Sequence, residues 1–190
     1  MDPVEVFHQW YQRELELTKV RVPSACCLST VGLDGFPNAR MVSLKEVLNG
    51  QFMISGPVDS RKGMEIEQSN QVALTFWWTE TERQVRIQGT ASPLPAKLAD
   101  KYFAERDRDS RIVSVISRQG QEIRDLSMLI RKFERFKSGK KMKIDRPENW
   151  GGFVISPVRI EFLEFSANRF HDRKLYERKD SGWIFKQLQP

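Results

Sequence analysis

Turn signals recur along this chain at hairpin spacing, and they limit it to a fold built from short antiparallel strands. Leu33-Asp34-Gly35, Asn49-Gly50, Thr79-Glu80-Thr81-Glu82 and Asp180-Ser181-Gly182 each separate two stretches of strand-like character. The spacing predicts strands over 25–31, 37–47, 51–55, 71–78 and 83–91, and again over 154–155, 159–165, 174–178 and 183–188. Helical spacing of apolar residues intervenes in blocks: Asp2 to Leu17, entered through Asp2-Pro3, then 61–69, 95–106, 110–118 and 123–137. So many short strands with few helices close most economically into a barrel, because closure removes the exposed edges. The expected class is mainly β with peripheral helices, one domain over 1–190. Residues 1–22 form an N-terminal helix and connector, 95–138 a helical insertion and 150–190 the C-terminal strands. The lysine-rich stretch 137–143 reads as an exposed loop.

Composition narrows the function classes only partly. No apolar run approaches a membrane span, and the N-terminus carries no signal-peptide pattern. Cys26 and Cys27 are neighbours on one strand and point to opposite faces, so they neither bridge nor assemble a metal site; a reducing, cytoplasmic setting fits. The formal charge of +6 admits a solvated basic surface, a nucleic-acid partner or a small polyanionic ligand. Charge alone does not choose.

Two stretches favour the small polyanion. Arg40-Met41-Val42-Ser43-Leu44-Lys45 is a strand that begins and ends on a cation. Ser60-Arg61-Lys62 opens a helix that Asp59 or Ser60 would cap, and a helix N-terminus offers free N–H groups and partial positive charge to a phosphate. On a regular strand Arg40 and Lys45 face opposite ways and serve different anions, unless a bulge changes the parity. Trp77 and Trp78 cannot both face the core of one strand, which leaves one for packing and the other for a ligand or a subunit interface, with structural use of both the favoured reading. His8 reads as a packing or surface residue.

Read in order, Arg40-Met-Val-Ser-Leu-Lys45, Ser60-Arg61-Lys62, Glu82-Arg83-Gln84-Val85, Tyr102-Phe103 with Arg106 to Ser110, Ser117-Arg118-Gln119, Trp150-Gly-Gly-Phe153 and Arg169-Phe-His-Asp-Arg173 resemble the pyridoxamine/pyridoxine 5′-phosphate oxidases. These are flavoenzymes with an FMN-binding split β-barrel. The resemblance implies a cytoplasmic homodimer with FMN in clefts at the subunit interface. FMN would be held by Arg40, Met41, Val42, Ser43, Leu44, Lys45, Arg61, Lys62, Gln84, Gln119 and Arg173. Lys45, Tyr102, Arg106 and Ser110 would hold the phosphate of a phosphorylated pyridine substrate. Arg169 and His171 would lie against its ring as the catalytic pair, with O₂ as final acceptor and no metal, nucleic acid or membrane involved.

The residues themselves are compatible with these roles. Tyr102 and Arg106, four apart on a helix, would share a face and grip one anion. Arg169, His171 and Arg173, if extended, form one strip of donors with Asp172 turned away to orient a neighbour. Alone, Arg106-Asp107-Arg108-Asp109 would read as a charge-compensated turn.

The chain departs from the family pattern at Ser55-Gly56, at Gly120 and at Leu163, where an aromatic-threonine pair, a serine and a tryptophan are usual. It also begins almost at the first helix, so the longer N-terminal arm that helps cover the substrate is not expected. A related oxidase of the phenazine-biosynthesis type and a non-catalytic FMN or pyridoxal-phosphate binder are the rival readings.

Overall fold

The computed structural model describes residues 2–139 and 143–190. Within them β1 (Ala25–Val31), β2 (Pro37–Leu48) and β3 (Gln51–Pro57) form a meander, and α2 (Arg61–Gln68) leads to β4 (Gln71–Trp78) and β5 (Arg83–Pro93). α1 (Pro3–Leu17) precedes them, while α3 (Ala96–Ala104), α4 (Arg108–Ile116) and α5 (Leu126–Ser138) follow. The chain ends in β6 (Trp150–Glu164), β7 (Asp172–Lys179) and β8 (Gly182–Leu188). Strands run in the order β3-β2-β1-β4-β5-β6-β7-β8, all neighbours antiparallel, and β3 also pairs with β6. That last pairing closes β1 to β6 into a barrel, and β7 and β8 extend from its side.

β6 makes the closure possible, and it differs from expectation. The sequence predicts two short strands here, but one strand runs straight through Pro157. Pro157 lies where the β5–β6 register shifts, the kind of irregularity at which a strand tolerates a residue with no N–H to donate. The N-terminal half of β6 pairs with β3 and the C-terminal half with β7. Gly152 permits the β3 contact: a Cβ at this residue would lie 2.1 Å from the Ile54 carbonyl oxygen, and its φ is 151°.

Two apolar clusters hold the molecule. Leu28, Leu44, Phe52, Phe76, Val85, Ile87, Ile155 and Phe162 fill the barrel, and α1 caps it through Phe7. A second cluster outside the barrel joins Met53, Tyr102, Phe103, Ile112 and Trp150, fixing α3 and α4 on β6. Buried Glu14 of α1 accepts from the Glu80 and Thr81 N–H groups and from the Thr81 hydroxyl, tying the helix to the β4–β5 turn. Trp78 is buried against Phe7 and Phe76, whereas Trp77 is 51% exposed and packs on Phe165. Residues 140–142 of the lysine-rich stretch lie outside the described residues. No helix among the described residues is long and apolar enough to cross a membrane.

Candidate functional site

Thr30, Asn38, Arg40 and Arg61 converge on one buried carboxylate, and that convergence builds the floor of the site. Glu65 of α2 is fully buried and accepts from Thr30 Oγ1 (2.6 Å), Asn38 Nδ2 (2.8 Å), Arg40 Nη2 (2.6 Å) and Arg61 Nε (2.7 Å). These bonds outweigh the cost of burial and hold its pKa down at about 2. Helix α2 is thereby locked to β1 and β2. Gly63 allows the close fit, since a Cβ there would stand 1.8 Å from the Val58 carbonyl oxygen. Arg61 turns to Glu65 and Asp34, and is not among the residues lining the cleft beside it. Ser60 is the N-cap of α2, but its hydroxyl donates to the Pro57 carbonyl rather than capping the helix.

That cleft, of about 350 Å³, runs along Arg40-Met41-Val42-Ser43 and is closed by Ser55-Gly56-Pro57, Lys62, Arg106, Ser114, Ser117, Gln119 and Trp150. Its walls are cationic. Lys62 Nζ donates to Ser60 Oγ (2.8 Å) and Gln119 Oε1 (2.7 Å) and has no ion pair among the described residues. Burial, with Arg40 nearby, lowers its pKa to about 8. Arg106 donates only to the Ser110 carbonyl (3.4 Å), and its buried Nε has no partner among the described residues. Ser55 Oγ, buried in the same wall, is also unpartnered. Orphaned buried donors are rare in folded proteins, and here they border an open space lined by Lys62 and Arg106, neither of which has an ion pair among the described residues. Such a donor set fits a phosphorylated ligand.

The predicted second anion group is only partly assembled. A register shift between Leu44 and Glu46 places a bulge at Lys45, so the parity from Arg40 to Lys45 survives and flips beyond it. Val47 therefore packs on the barrel core and Glu46 turns out toward α3. Lys45 has no ion pair among the described residues, and burial and Arg106 lower its pKa. Arg106 does not share a helix face with Tyr102 as expected. α3 stops at Ala104 because Asp107 caps α4, so Arg106 sits in the connector and enters the cleft. Tyr102 points into the second core instead, and its hydroxyl donates to the Glu46 carboxylate. Ser110 lies in the first turn of α4, its N–H on Asp107 Oδ1. Val42 and Leu44 turn toward the barrel core, which leaves their backbone as the part facing any ligand.

The other predicted residues occupy a different surface. Trp77, Gln84, Leu163 and Arg173 stand side by side across β4, β5, β6 and β7, on the outer face of the sheet. One row along, buried Glu161 pairs with Arg86 (2.6 Å) and Arg173 (3.4 Å). None of Gln84, Arg169, His171 and Arg173 lines the cleft. Arg169 departs from the extended strip expected for it: at φ 68° it is left-handed, in the turn between β6 and β7, and β7 begins only at Asp172. Asp172 does orient a neighbour, accepting from Lys174 at 2.5 Å. A single chain thus carries two separate groups of the predicted residues: a cationic cleft and an outer strip. Ser114 in the cleft and Glu46 beside Tyr102 were not foreseen; only the α4 packing and the bulge bring them there, and neither leaves a mark in local sequence.

Comparison with known proteins gives this arrangement a context. The pyridoxamine 5′-phosphate oxidase family pattern matches residues 16–138, and the pyridoxine 5′-phosphate oxidase C-terminal dimerisation region matches residues 150–190. A pyridoxine/pyridoxamine 5′-phosphate oxidase of Leptospira biflexa is 38% identical over 190 residues, covering 100% of this chain and 89% of the relative. One from Haemophilus influenzae is 40% identical over 189 residues, covering 100% of this chain and 90% of the relative. Among solved structures, PhzG from Burkholderia lata 383, in complex with tetrahydrophenazine-1-carboxylic acid, superposes with a TM-score of 0.93 at 28% identity, covering 100% of this chain and 93% of that one. A pyridoxamine 5′-phosphate oxidase-related, FMN binding protein from Nostoc punctiforme has the same fold, with a TM-score of 0.80 at 18% identity over 98% of this chain and 96% of that one.

Proposed function

Since the chain belongs to the pyridoxamine 5′-phosphate oxidase family, we propose that it is an oxidase that converts pyridoxine or pyridoxamine 5′-phosphate to pyridoxal 5′-phosphate. The observation that carries this reading is the cleft lined by the unpartnered Ser55 Oγ and by Lys62 and Arg106, neither of which has an ion pair among the described residues. The group suited to it is FMN. Arg40, Lys62 and Ser55 would hold its phosphate, Met41 to Ser43 would line its ring by their backbone, and Gln119 would fix Lys62. Bound FMN supplies the two-electron acceptor and passes its electrons to O₂, giving H₂O₂.

The chain's own residues bind and orient. Lys45 and Arg106, two neighbouring cations with no ion pair among the described residues, anchor the phosphate of the substrate. Anchoring both partners by their phosphates fixes the C4′ carbon at one position and removes the entropy of its search. Gln84 and Arg173 on the outer strip would supply hydrogen-bond donors to the flavin and favour its reduced, negatively charged form. Arg169 and His171 set the pyridine ring. Because cleft and strip lie on different surfaces of one chain, each complete site joins the cleft of one subunit to the strip of its partner, which agrees with the dimerisation region over β6 to β8. Free cysteines at Cys26 and Cys27 favour a reducing compartment such as the cytoplasm.

A second reading, action on a non-phosphorylated ring, draws on the likeness to PhzG. The Lys45–Arg106 pair favours the phosphorylated substrate. The purified protein, reconstituted with FMN and given pyridoxine 5′-phosphate in air, is expected to form pyridoxal 5′-phosphate and H₂O₂. Flavin that binds yet stays oxidised under anaerobic pyridoxine 5′-phosphate would refute this function.

A further inference from the structure

The turn between β6 and β7 does more than carry Arg169 and His171 to the strip. Its backbone and one side chain fix which nitrogen of His171 holds the proton. The Ser166 N–H donates to His171 Nδ1 at 3.0 Å. A nitrogen that accepts a backbone N–H carries a lone pair and no hydrogen, so in the neutral imidazole the proton resides on Nε2. Asn168 holds the turn in this shape: its Oδ1 accepts from Ser166 Oγ (2.7 Å) and from the Phe170 N–H (3.0 Å). The Arg169 N–H closes onto the Ser166 carbonyl (3.1 Å), and Arg169 leaves the turn at a left-handed φ. The imidazole also rests on Phe165, ring centroids 4.6 Å apart, and Phe165 rests in turn on Trp77. The ring is held at one edge by a hydrogen bond and on one face by an aromatic.

We propose that Ser166 and Asn168 are positioning residues that lock His171 in the Nε2–H tautomer, so that it serves as a fixed hydrogen-bond donor to the substrate ring and not as a proton-abstracting base. A base needs a free lone pair. In this tautomer Nδ1 has given its pair to Ser166 and Nε2 is already protonated. That the donor meets a pyridine substrate rests on the function proposed above; the tautomer does not.

The chain has only two histidines, His8 and His171, which makes the tautomer directly readable. In ¹⁵N-histidine-labelled, FMN-loaded protein at mildly alkaline pH, His171 is expected to show one acceptor-type signal for Nδ1 and one protonated signal for Nε2. Asn168→Asp keeps an acceptor oxygen for the turn and is expected to keep this pattern. Asn168→Ala is expected to lose it, drifting to the tautomer average of a free imidazole, and to raise KM for pyridoxine 5′-phosphate about tenfold with bound flavin unchanged. A wild-type His171 that is protonated on Nδ1, or averaged between tautomers, overturns the lock whatever the enzyme oxidises. A locked tautomer in wild type with an unmoved KM in Asn168→Ala overturns the donor role.

Discussion

Lys62 stands between Ser60 Oγ and Gln119 Oε1 in a wall shared with Arg40, and with no carboxylate to pair it this burial brings its pKa to about 8. The shift runs downward from 10.5, so between those values the ligand-free side chain is largely neutral. A phosphate dianion beside it favours the charged form, and the ligand-bound side chain regains its proton. Binding of FMN near pH 9 is therefore expected to take up close to one proton. Calorimetry in two buffers of different ionisation enthalpy reads this uptake directly, and Lys62→Met should abolish it while weakening FMN binding at least tenfold, the worth of one charge-assisted hydrogen bond. Uptake that persists in Lys62→Met would assign the proton elsewhere. Glu65 plays the opposite part: four donors keep it ionised, so it orders Arg40 and Arg61 without competing for a ligand's protons.

At the scale of elements, the seam between β3 and β6 governs whether the barrel closes and whether the cleft keeps its wall. Ser55 pairs with Gly152 and Gly56 with Gly151, so the unpartnered Ser55 hydroxyl lies on this seam. A methyl at Gly152 would meet the Ile54 carbonyl at 2.1 Å, with no flexible side chain to yield. Gly152→Ala is expected to destabilise the fold by about 3 kcal/mol or more, read as a lower midpoint in urea, through strain at a left-handed, close-packed residue. Gly182 makes the comparison: it also has a positive φ, but nothing lies within 4 Å of its Cβ position, so Gly182→Ala should cost clearly less.

These elements also show what the sequence discloses. Asn49-Gly50 and Asp180-Ser181-Gly182 announce hairpins by local chemistry, and both form. Two short strands were expected over 154–155 and 159–165, yet β6 is continuous because its two halves pair with β3 and β7 while β5 shifts register at Pro157, and cross-strand register is invisible locally. The end of α3 was missed for a related reason: Asp107 looked like part of a charged turn and is the N-cap of the next helix. The order of the site motifs is plain in the sequence. The bulge at Lys45 is not, because it depends on the pairing with β3, and the left-handed Arg169 is not, because no glycine or asparagine stands there to mark it.

For the whole molecule, the decisive feature is that the candidate site residues are divided between two surfaces. Lys62, Arg106 and Gln119 line the cleft, whereas Gln84 and Arg173 lie on the outer sheet face beside Trp77 and Leu163. On the function proposed above, each cleft of a two-fold dimer is expected to meet the strip of the other subunit, giving two equal sites. Variants damaged in different halves should then rescue each other. Lys62→Met leaves the strip intact and Arg173→Leu leaves the cleft intact, and each homodimer is expected to be nearly inactive with pyridoxine 5′-phosphate. Unfolding the two together and refolding them with FMN should yield mixed dimers with one intact site, restoring about a quarter of wild-type oxidase activity. Activity that stays at the level of the separate variants, although mixed dimers have formed, would contradict a site shared between subunits.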